Sequence, residues 1–539
     1  MSADTKSIWL VVWTALACCL LLLRLPAVVQ PPGGDQSLYV YSGQQMLAGG
    51  VPYETAWDQK PPGIFFAYAL LWRLWPHPSV IALADLVVAG LVASLLIVLG
   101  GRFGSASAGG LAACVFLLFG HPSLTRLSGV YVRGQCETFI ALFVTLALVL
   151  ASSPRSRAAM LLPAGVCLAL AVWLKYNALA YALPIAAVAV TAPGDRTDRG
   201  PWDIDLVMGG FGFAAVTAAA LIYFWAHGAL TDLRLATIDY NLRYSGETYP
   251  GPIRALLYIV TLPILRAKVD MLWFLGGVGT LLVMSRRLRD RVGINRTGLV
   301  ALIWIGAAAL SIGVNGARDL PQYFVQAAPA LAFAAGLGFG ALPARAVAVR
   351  IVAIAVVILG LWRVGDEAPA LGLRLGGLPQ LASNLMFDVN RALGRVDDAT
   401  YLSRFSQGKF DAAANDDMIR YVRGATTRRD SVLVFGFAGG SIGAWSERRS
   451  PTRFFWSRPV MIGFEDGRPG YGPAGLLHDL ERDPPALVVL QKIDWHVGEP
   501  GLPNSAEFFL ANPALRGWLD AGYVPDRETA MFAVWRRRS

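Results

Sequence analysis

Residues 8–29 read IWLVVWTALACCLLLLRLPAVV. An apolar run of this length crosses a ~30 Å hydrocarbon core as a helix, and it sets the reading of the rest of the chain. The polar head MSADTKS is short, no small-residue cleavage site comes after it, and Arg24-Leu25-Pro26 interrupts the end of the run. An uncleaved first span is therefore expected rather than a signal peptide. Similar runs recur at 79–100, 106–122, 136–151, 158–174, 176–192, 204–226, 270–285, 298–314, 321–342 and 347–363. The short alternating segments of a β-barrel do not occur. The spans are read as helices, because lipid offers backbone groups no other partners. The chain reads as a polytopic α-helical membrane protein of about 11 transmembrane helices. The segment 63–75, GIFFAYALLWRLW, is too short to span and suits a helix lying along the interface, with Trp72 and Trp75 at headgroup level.

Composition agrees. Of 539 residues, 55% are hydrophobic and only 16% are charged, against about 25% charged in soluble domains. The net charge of +10 sits mainly in short loops between apolar runs, as the positive-inside rule requires. A nucleic-acid binder would gather it on one folded face, so no nucleic-acid partner is expected. Arg102, Arg155, Arg157, Arg196, Arg199, Arg286, Arg287, Arg289, Arg291, Arg296, Arg345 and Arg350 fall on one side. The loop SRRLRDRVGINR (285–296) decides most, since so many arginines translocate badly. This puts the N-terminus in the cytoplasm. The loops 30–78, 122–135 and 227–269, and the tail from 364, fall outside. Cys18, Cys19, Cys114, Cys136 and Cys167 all lie in or beside apolar runs and read as small packing residues.

The chain divides into a membrane domain, 1–363, and a C-terminal soluble α/β domain, 364–539. In the tail, DDMIRYVRGAT (416–426) and AGLLHDLERDP (474–484) read as helices. SVLVFGF (431–437), ALVVLQ (486–491) and MFAVWRRR (531–538) read as strands. FGFAGGS (435–441) lacks the Gly-Lys-Ser/Thr ending of a phosphate loop, and a glycine turn accounts for it. Phe454, Phe455, Trp456 and Trp495 are candidates for stacking on sugar or for the tail's core.

The outer loops concentrate acids, bases and aromatic residues beside the membrane. The first, PPGGDQSLYVYSGQQMLAGGVPYETAWDQKPPG (31–63), holds Asp35, Glu54, Asp58 and Lys60. QSLYVYSGQQMLAGG can form a short helix starting near Asp35, where the helix dipole stabilises a carboxylate. Asp35 is then either a cap or a general base facing a membrane-level cavity. This loop resembles the first external loop of the GT-C superfamily. It is most similar to the bacterial branch related to protein O-mannosyltransferases and lipid A aminoarabinose transferases. The likeness rests on Asp35, Tyr39, Gly50-Val51-Pro52-Tyr53 and Asp58-Gln59-Lys60-Pro61-Pro62. It extends to Glu137 in RGQCETFIALFVTLALVL, Lys175 in WLKYNALAYALP, and Arg318, Tyr323 and Pro329 in ARDLPQYFVQAAPALAFAAGLG. Gln322 stands where related sequences often have a histidine.

The resemblance implies a membrane glycosyltransferase that moves a sugar from a polyprenyl-phosphate donor to a glycan, lipid or protein acceptor. The expected setting is a bacterial inner membrane. The residues make chemical sense for that reaction. The leaving lipid phosphate needs cations, and Lys60, Lys175, Arg318 and Arg133 are candidates, as each is for snorkelling to the interface. The acceptor hydroxyl needs a base, for which Asp35 is the first choice. Glu137 orients the acceptor, pairs with Arg133, or holds a metal. Asp58 orients Lys60 or meets sugar hydroxyls, with Tyr53 and Tyr323 beside the substrate. One direct displacement inverts the anomeric centre. The five histidines are scattered without ligand spacing, so no metal is expected, although carboxylates can hold Mg²⁺ or Mn²⁺. A transporter or flippase of lipid-linked sugars would use similar cations without needing a base, and a scaffold whose tail binds a partner would need neither.

Overall fold

The computed structural model describes residues 3–124, 126–153, 157–191, 202–290, 296–340, 378–495 and 503–538. Two compact units are interleaved along the chain. One comprises Met1–Gln30, Ile81–Tyr223 and Leu242–Ala392; the other comprises Pro31–Val80, Phe224–Asn241 and Leu393–Ser539.

The first unit is helical. Val11–Val29, Ser79–Phe103, Leu206–Ala226, Thr297–Val314 and Pro321–Gly340 are long and apolar enough to cross a bilayer. Ala106–Phe119, Cys136–Ala151, Ala159–Leu174, Tyr176–Val190 and Met271–Ser285 are shorter apolar helices. Every expected span but one thus falls on an apolar helix. The span at 347–363 lies outside the described residues, as do the loop arginines 155, 196, 199, 291, 345 and 350. The apolar helices and their number make this a multi-pass membrane protein.

Lipid is as apolar as leucine, so membrane helices associate through close packing of small residues. The helix Ala328–Gly340 is buried on every side from Ala328 to Gly338. It is built almost wholly of Ala, Gly, Leu and Phe, and Gly338 and Gly279 bring two backbones together with no room for a Cβ. Cys114, Cys136 and Cys167 are buried, whereas Cys18 and Cys19 point outward from the first helix, so only three of the five pack within the chain.

The segment 227–269, expected as a loop, is largely helical. It contains Leu230–Arg234, a π-helical turn at Leu235–Asp239, Tyr240–Gly246 and Pro252–Ala267. The last begins with a proline in its first turn, where the missing N–H costs nothing. It exposes Ile253, Leu256, Leu257, Val260 and Ile264, an apolar stripe at helical spacing. Arg254, Pro263 and Arg266 break its apolar run in the sequence, which is why hydropathy alone misses it.

In the second unit, the helices Gly34–Leu47 and Gly63–Leu74 pack on each other. Gly63–Leu74 has 12 residues, about 18 Å, too short to span. It buries Ile64, Phe65, Tyr68 and Ala69 and exposes Phe66, Leu70 and Leu74, the pattern of an interfacial helix. The tail contributes a small hairpin, β1 (Ser406–Gln407) with β2 (Phe410–Asp411), and a four-stranded sheet. The sheet comprises β3 (Val432–Phe435), β4 (Leu487–Gln491), β5 (Tyr523–Glu528) and β6 (Phe532–Arg537), in the order β3-β4-β6-β5. β3 and β4 are parallel and the other pairs antiparallel. The parallel pair needs a long crossover, which carries the helices Gly439–Ser446, Arg458–Met461 and Gly472–Arg482. Val432, Val434, Leu487, Val489, Phe532 and Val534 pack against Met418, Ile419 and Val422 of the helix Ala412–Ala425. Phe454, Phe455, Trp456 and Trp495 are all buried, so they belong to the core of this unit.

The glycines of FGFAGGS serve packing. A Cβ on Gly439 would lie 1.8 Å from the Phe455 carbonyl oxygen, and one on Gly440 would meet Leu38 at 2.6 Å. Gly439→Ala is therefore expected to destabilise the unit by about 1–3 kcal/mol through overpacking. Helix propensity alone would favour alanine by about 1 kcal/mol, so the sign discriminates. Thermal unfolding of the full chain in micelles reads it, and an unchanged or raised midpoint contradicts the packing.

Candidate functional site

In the second unit, the loop 31–63 turns back on itself between two helices. Asp35 lies in the first turn of Gly34–Leu47, where the dipole favours a carboxylate. The chain leaves that helix through Gly49, in the left-handed region at φ 91°, and turns again at Tyr53, φ 73°. A tyrosine in that region carries strain that its surroundings must offset. Tyr53 is fully buried against Phe65 and Phe224, and its hydroxyl donates to the Lys60 carbonyl at 2.8 Å. Tyr53 thus holds the backbone beneath Lys60.

Asp58 is buried, and its Oδ1 accepts from the Lys60 amide at 3.3 Å. Its Oδ2 and the Oε1 of Gln59 are buried and have no hydrogen-bond partner among the described residues. Burial pushes the Asp58 carboxyl above the usual carboxylate range, the Lys60 charge pulls it back, and the Asp35 charge adds to the rise. The first loop therefore brings both Asp35 and Lys60 within electrostatic reach of Asp58.

The raised Asp58 carboxyl makes stability depend on pH. An acid whose folded-state pKa is raised contributes stability below its unfolded pKa, and that contribution is lost as pH rises through the folded value. An asparagine side chain does not titrate. Asp58→Asn is therefore expected to gain stability relative to the parent as pH goes from about 4 to about 7. Unfolding midpoints of both proteins across that range read the difference. A shift in the opposite direction shows that the folded-state pKa is lowered instead.

The first unit carries a second constellation. Lys175 Nζ sits 2.6 Å from Glu137 Oε1, with both side chains buried. The same ammonium lies 4.1 Å from the centre of the Tyr323 ring. Tyr244 acts electrostatically on the Tyr323 hydroxyl, and the Arg318 guanidinium stacks 3.8 Å over the Tyr244 ring. Arg318 also donates to the Tyr244 carbonyl at 3.1 Å and to Glu247 at 2.6 Å. Four residues singled out in the sequence, Glu137, Lys175, Arg318 and Tyr323, thus share one network.

Arg133 stands apart from it. Its Nη2 donates to Gln30 at 2.7 Å and to the Ser128 carbonyl at 3.1 Å, and Gln30 donates to Asp388 at 2.6 Å. The alternative in which Glu137 pairs with Arg133 assumes one helix through both residues. The helix begins only at Cys136, after Gly134 turns into the left-handed region at φ 63°, so the four-residue spacing does not bring them together.

Sequence reasoning passed over a further pair. Asp85, within the apolar helix Ser79–Phe103, lies 3.5 Å from Arg24, and its Oδ1 accepts from the Gly134 amide at 3.3 Å. An acid inside a span is expensive without a partner, and that cost was a signal available in the sequence.

Among the described residues, no group of three His, Cys, Asp or Glu side chains gathers as a metal site. Asp35 and Asp58 are the two carboxylates of the first-loop cluster, and the positive charge of Lys60 acts on the same spot. Two carboxylates are a donor set that can hold a divalent cation which keeps several of its waters.

No protein-family model matches the sequence, and no curated protein matches it either. Solved structures do match its fold. ArnT from Cupriavidus metallidurans, bound to undecaprenyl phosphate, is 15% identical with a TM-score of 0.62, covering 99% of this chain and 98% of that one. The same protein in its apo state gives 15% identity and 0.60 over the same shares. An Archaeoglobus fulgidus oligosaccharyltransferase in its apo form is 14% identical with a TM-score of 0.47, covering 89% of this chain and 69% of that one. End to end, the chain has the fold of ArnT, the fold that the resemblance of the first loop leads one to expect.

Proposed function

We propose that this protein is a membrane glycosyltransferase that moves a sugar from a polyprenyl-phosphate donor to an acceptor hydroxyl on the extracytoplasmic face of a bacterial inner membrane. One observation carries the reading: the first external loop gathers Asp35, Asp58 and Lys60 in a chain with the fold of a protein solved with undecaprenyl phosphate. Asp35 is the general base and takes the proton of the acceptor hydroxyl. The hydroxyl oxygen bonds to the anomeric carbon. The bond from that carbon to the phosphate oxygen breaks, and its electron pair leaves on the lipid phosphate. One displacement inverts the anomeric centre.

Lys60 stabilises the charge that develops on the leaving phosphate. The resemblance offers Lys175 and Arg318, each held by a carboxylate and joined through Tyr323 and Tyr244, as further cations for the donor headgroup. The unfilled acceptors on Asp58 and Gln59 suit sugar hydroxyl or amino groups. Glu137 sets the position of Lys175. No step requires a metal.

The test is transfer by the purified full chain in vesicles doped with polyprenyl-phosphate-linked pentose or hexose and a mixed acceptor pool. The expected result is loss of sugar from the lipid pool and equimolar free polyprenyl phosphate. A flippase would instead carry the intact donor across the bilayer without cleaving it, and that outcome sinks the transferase reading.

A further inference from the structure

The C-terminal domain grips the first external loop at both of its chemical ends. Gly34, beside Asp35, lies so close under the Phe437 ring that a Cβ there would approach it to 2.3 Å. One and two turns further along the same helix, Trp445 Nε1 donates to the Ser37 hydroxyl at 3.0 Å, and the Ser450 amide donates to the Tyr41 hydroxyl at 2.7 Å. At the other end, the backbone of Trp57 is held twice by the tail. Its amide donates to the Arg453 carbonyl at 2.9 Å, and its carbonyl accepts from Trp456 Nε1 at 2.9 Å. Asn241 then donates to the Gln59 carbonyl at 2.7 Å. With Tyr53 holding the Lys60 carbonyl, the backbone from 57 to 60 is tied at four atoms, three of them by segments distant in sequence.

We propose that the C-terminal domain sets the distance between Asp35 and Lys60, and that Trp456 is a positioning residue acting on Lys60 through the Trp57 carbonyl. A reactive group displaced by even 1 Å loses much of its effect, and the loop's own bonds from Tyr53 and Asp58 to Lys60 do not reach the helix that carries Asp35. Arg453 is anchored in turn by Asp232 at 2.7 Å, so the grip is braced from behind. Trp456 is buried, with its ring 6.3 Å from that of Trp57, and its Nε1–H is taken by the Trp57 carbonyl.

The inference rests on the proposed transferase only for what Lys60 does to a lipid phosphate; the clamp itself is tested by binding alone. Trp456→Phe keeps an aromatic ring and removes the bond to the Trp57 carbonyl. The probe is undecaprenyl phosphate titrated into the full chain in nanodiscs. Trp456→Phe is expected to weaken binding about tenfold, with an unfolding midpoint close to the parent's. Lys60→Ala is expected to weaken it as much or more, and Trp456→Phe added to Lys60→Ala is expected to do nothing further. Equal losses from Trp456→Phe in the parent and in Lys60→Ala overturn the positioning role, because the effect then does not pass through Lys60. Unchanged binding in Trp456→Phe overturns it too. If undecaprenyl phosphate binds with this coupling and no sugar is transferred from any donor, the clamp stands and the transferase reading fails alone.

Discussion

Asp35→Asn is expected to lower the rate of sugar transfer about 10²- to 10⁴-fold, the usual weight of a positioned general base, while donor binding stays within about twofold of the parent. Asparagine has the shape of aspartate and sits as well near a helix N-terminus, so Gly34–Leu47 and its packing on the tail should survive. What goes is the charge. An acceptor hydroxyl attacking the anomeric carbon must shed its proton as the bond forms, and an amide does not take it. The loss should appear in kcat with little change in the KM for donor, because the proton moves only in the transition state. The change also removes the charge that adds to the rise in the Asp58 pKa, so Asp58 should ionise at lower pH in the variant. Full transfer by Asp35→Asn in membranes would show that another group is the base. Donor binding lost in parallel with rate would show that Asp35 holds the ligand and does not act on the proton.

What the sequence reveals and hides depends on the range of the interactions involved. Asp35 at a helix start, the turn at Gly50-Val51-Pro52-Tyr53 and the short interfacial helix after Pro62 are local features, set by glycine, proline and a few neighbours, and they can be read directly. Spans of ordinary length can be read too, because lipid thickness fixes their length. The tail's main helices and three of its strands fall where pattern puts them. Side-chain partners depend on contacts between residues far apart. Lys175 meets Glu137 across 38 positions, Arg133 meets Gln30 across 103, and Trp456 meets the Trp57 carbonyl across 399. Nothing in the intervening sequence encodes those separations. The segment 252–267 was hidden for a different reason: its apolar stripe is amphipathic, and a proline and two arginines lower the hydropathy on which span-finding depends.

Lys175→Met is expected to cost about 3–5 kcal/mol of stability, because it leaves the Glu137 carboxylate buried with its ion-pair partner gone. Glu137 is 1% exposed and its Oε1 meets Lys175 Nζ at 2.6 Å, so water cannot readily replace the ammonium. The Tyr323 ring, 4.1 Å from the same nitrogen, loses a cation–π partner as well, worth about 0.5–2 kcal/mol. Adding Glu137→Gln removes the stranded charge, and most of the stability should return. The double variant separates two roles for Lys175. If the lysine also binds the donor headgroup, Lys175→Met/Glu137→Gln recovers its unfolding midpoint while undecaprenyl phosphate binding stays weak. If the lysine serves only as the partner of Glu137, midpoint and binding recover together, and Lys175 drops out of the donor site. A double variant as unstable as Lys175→Met would mean that the ion pair is not what the single substitution disturbs. The cycle therefore asks whether a buried cation in this membrane domain is retained for the fold alone or also for a lipid phosphate: one ammonium has three protons to donate, and Glu137 takes one of them at 2.6 Å.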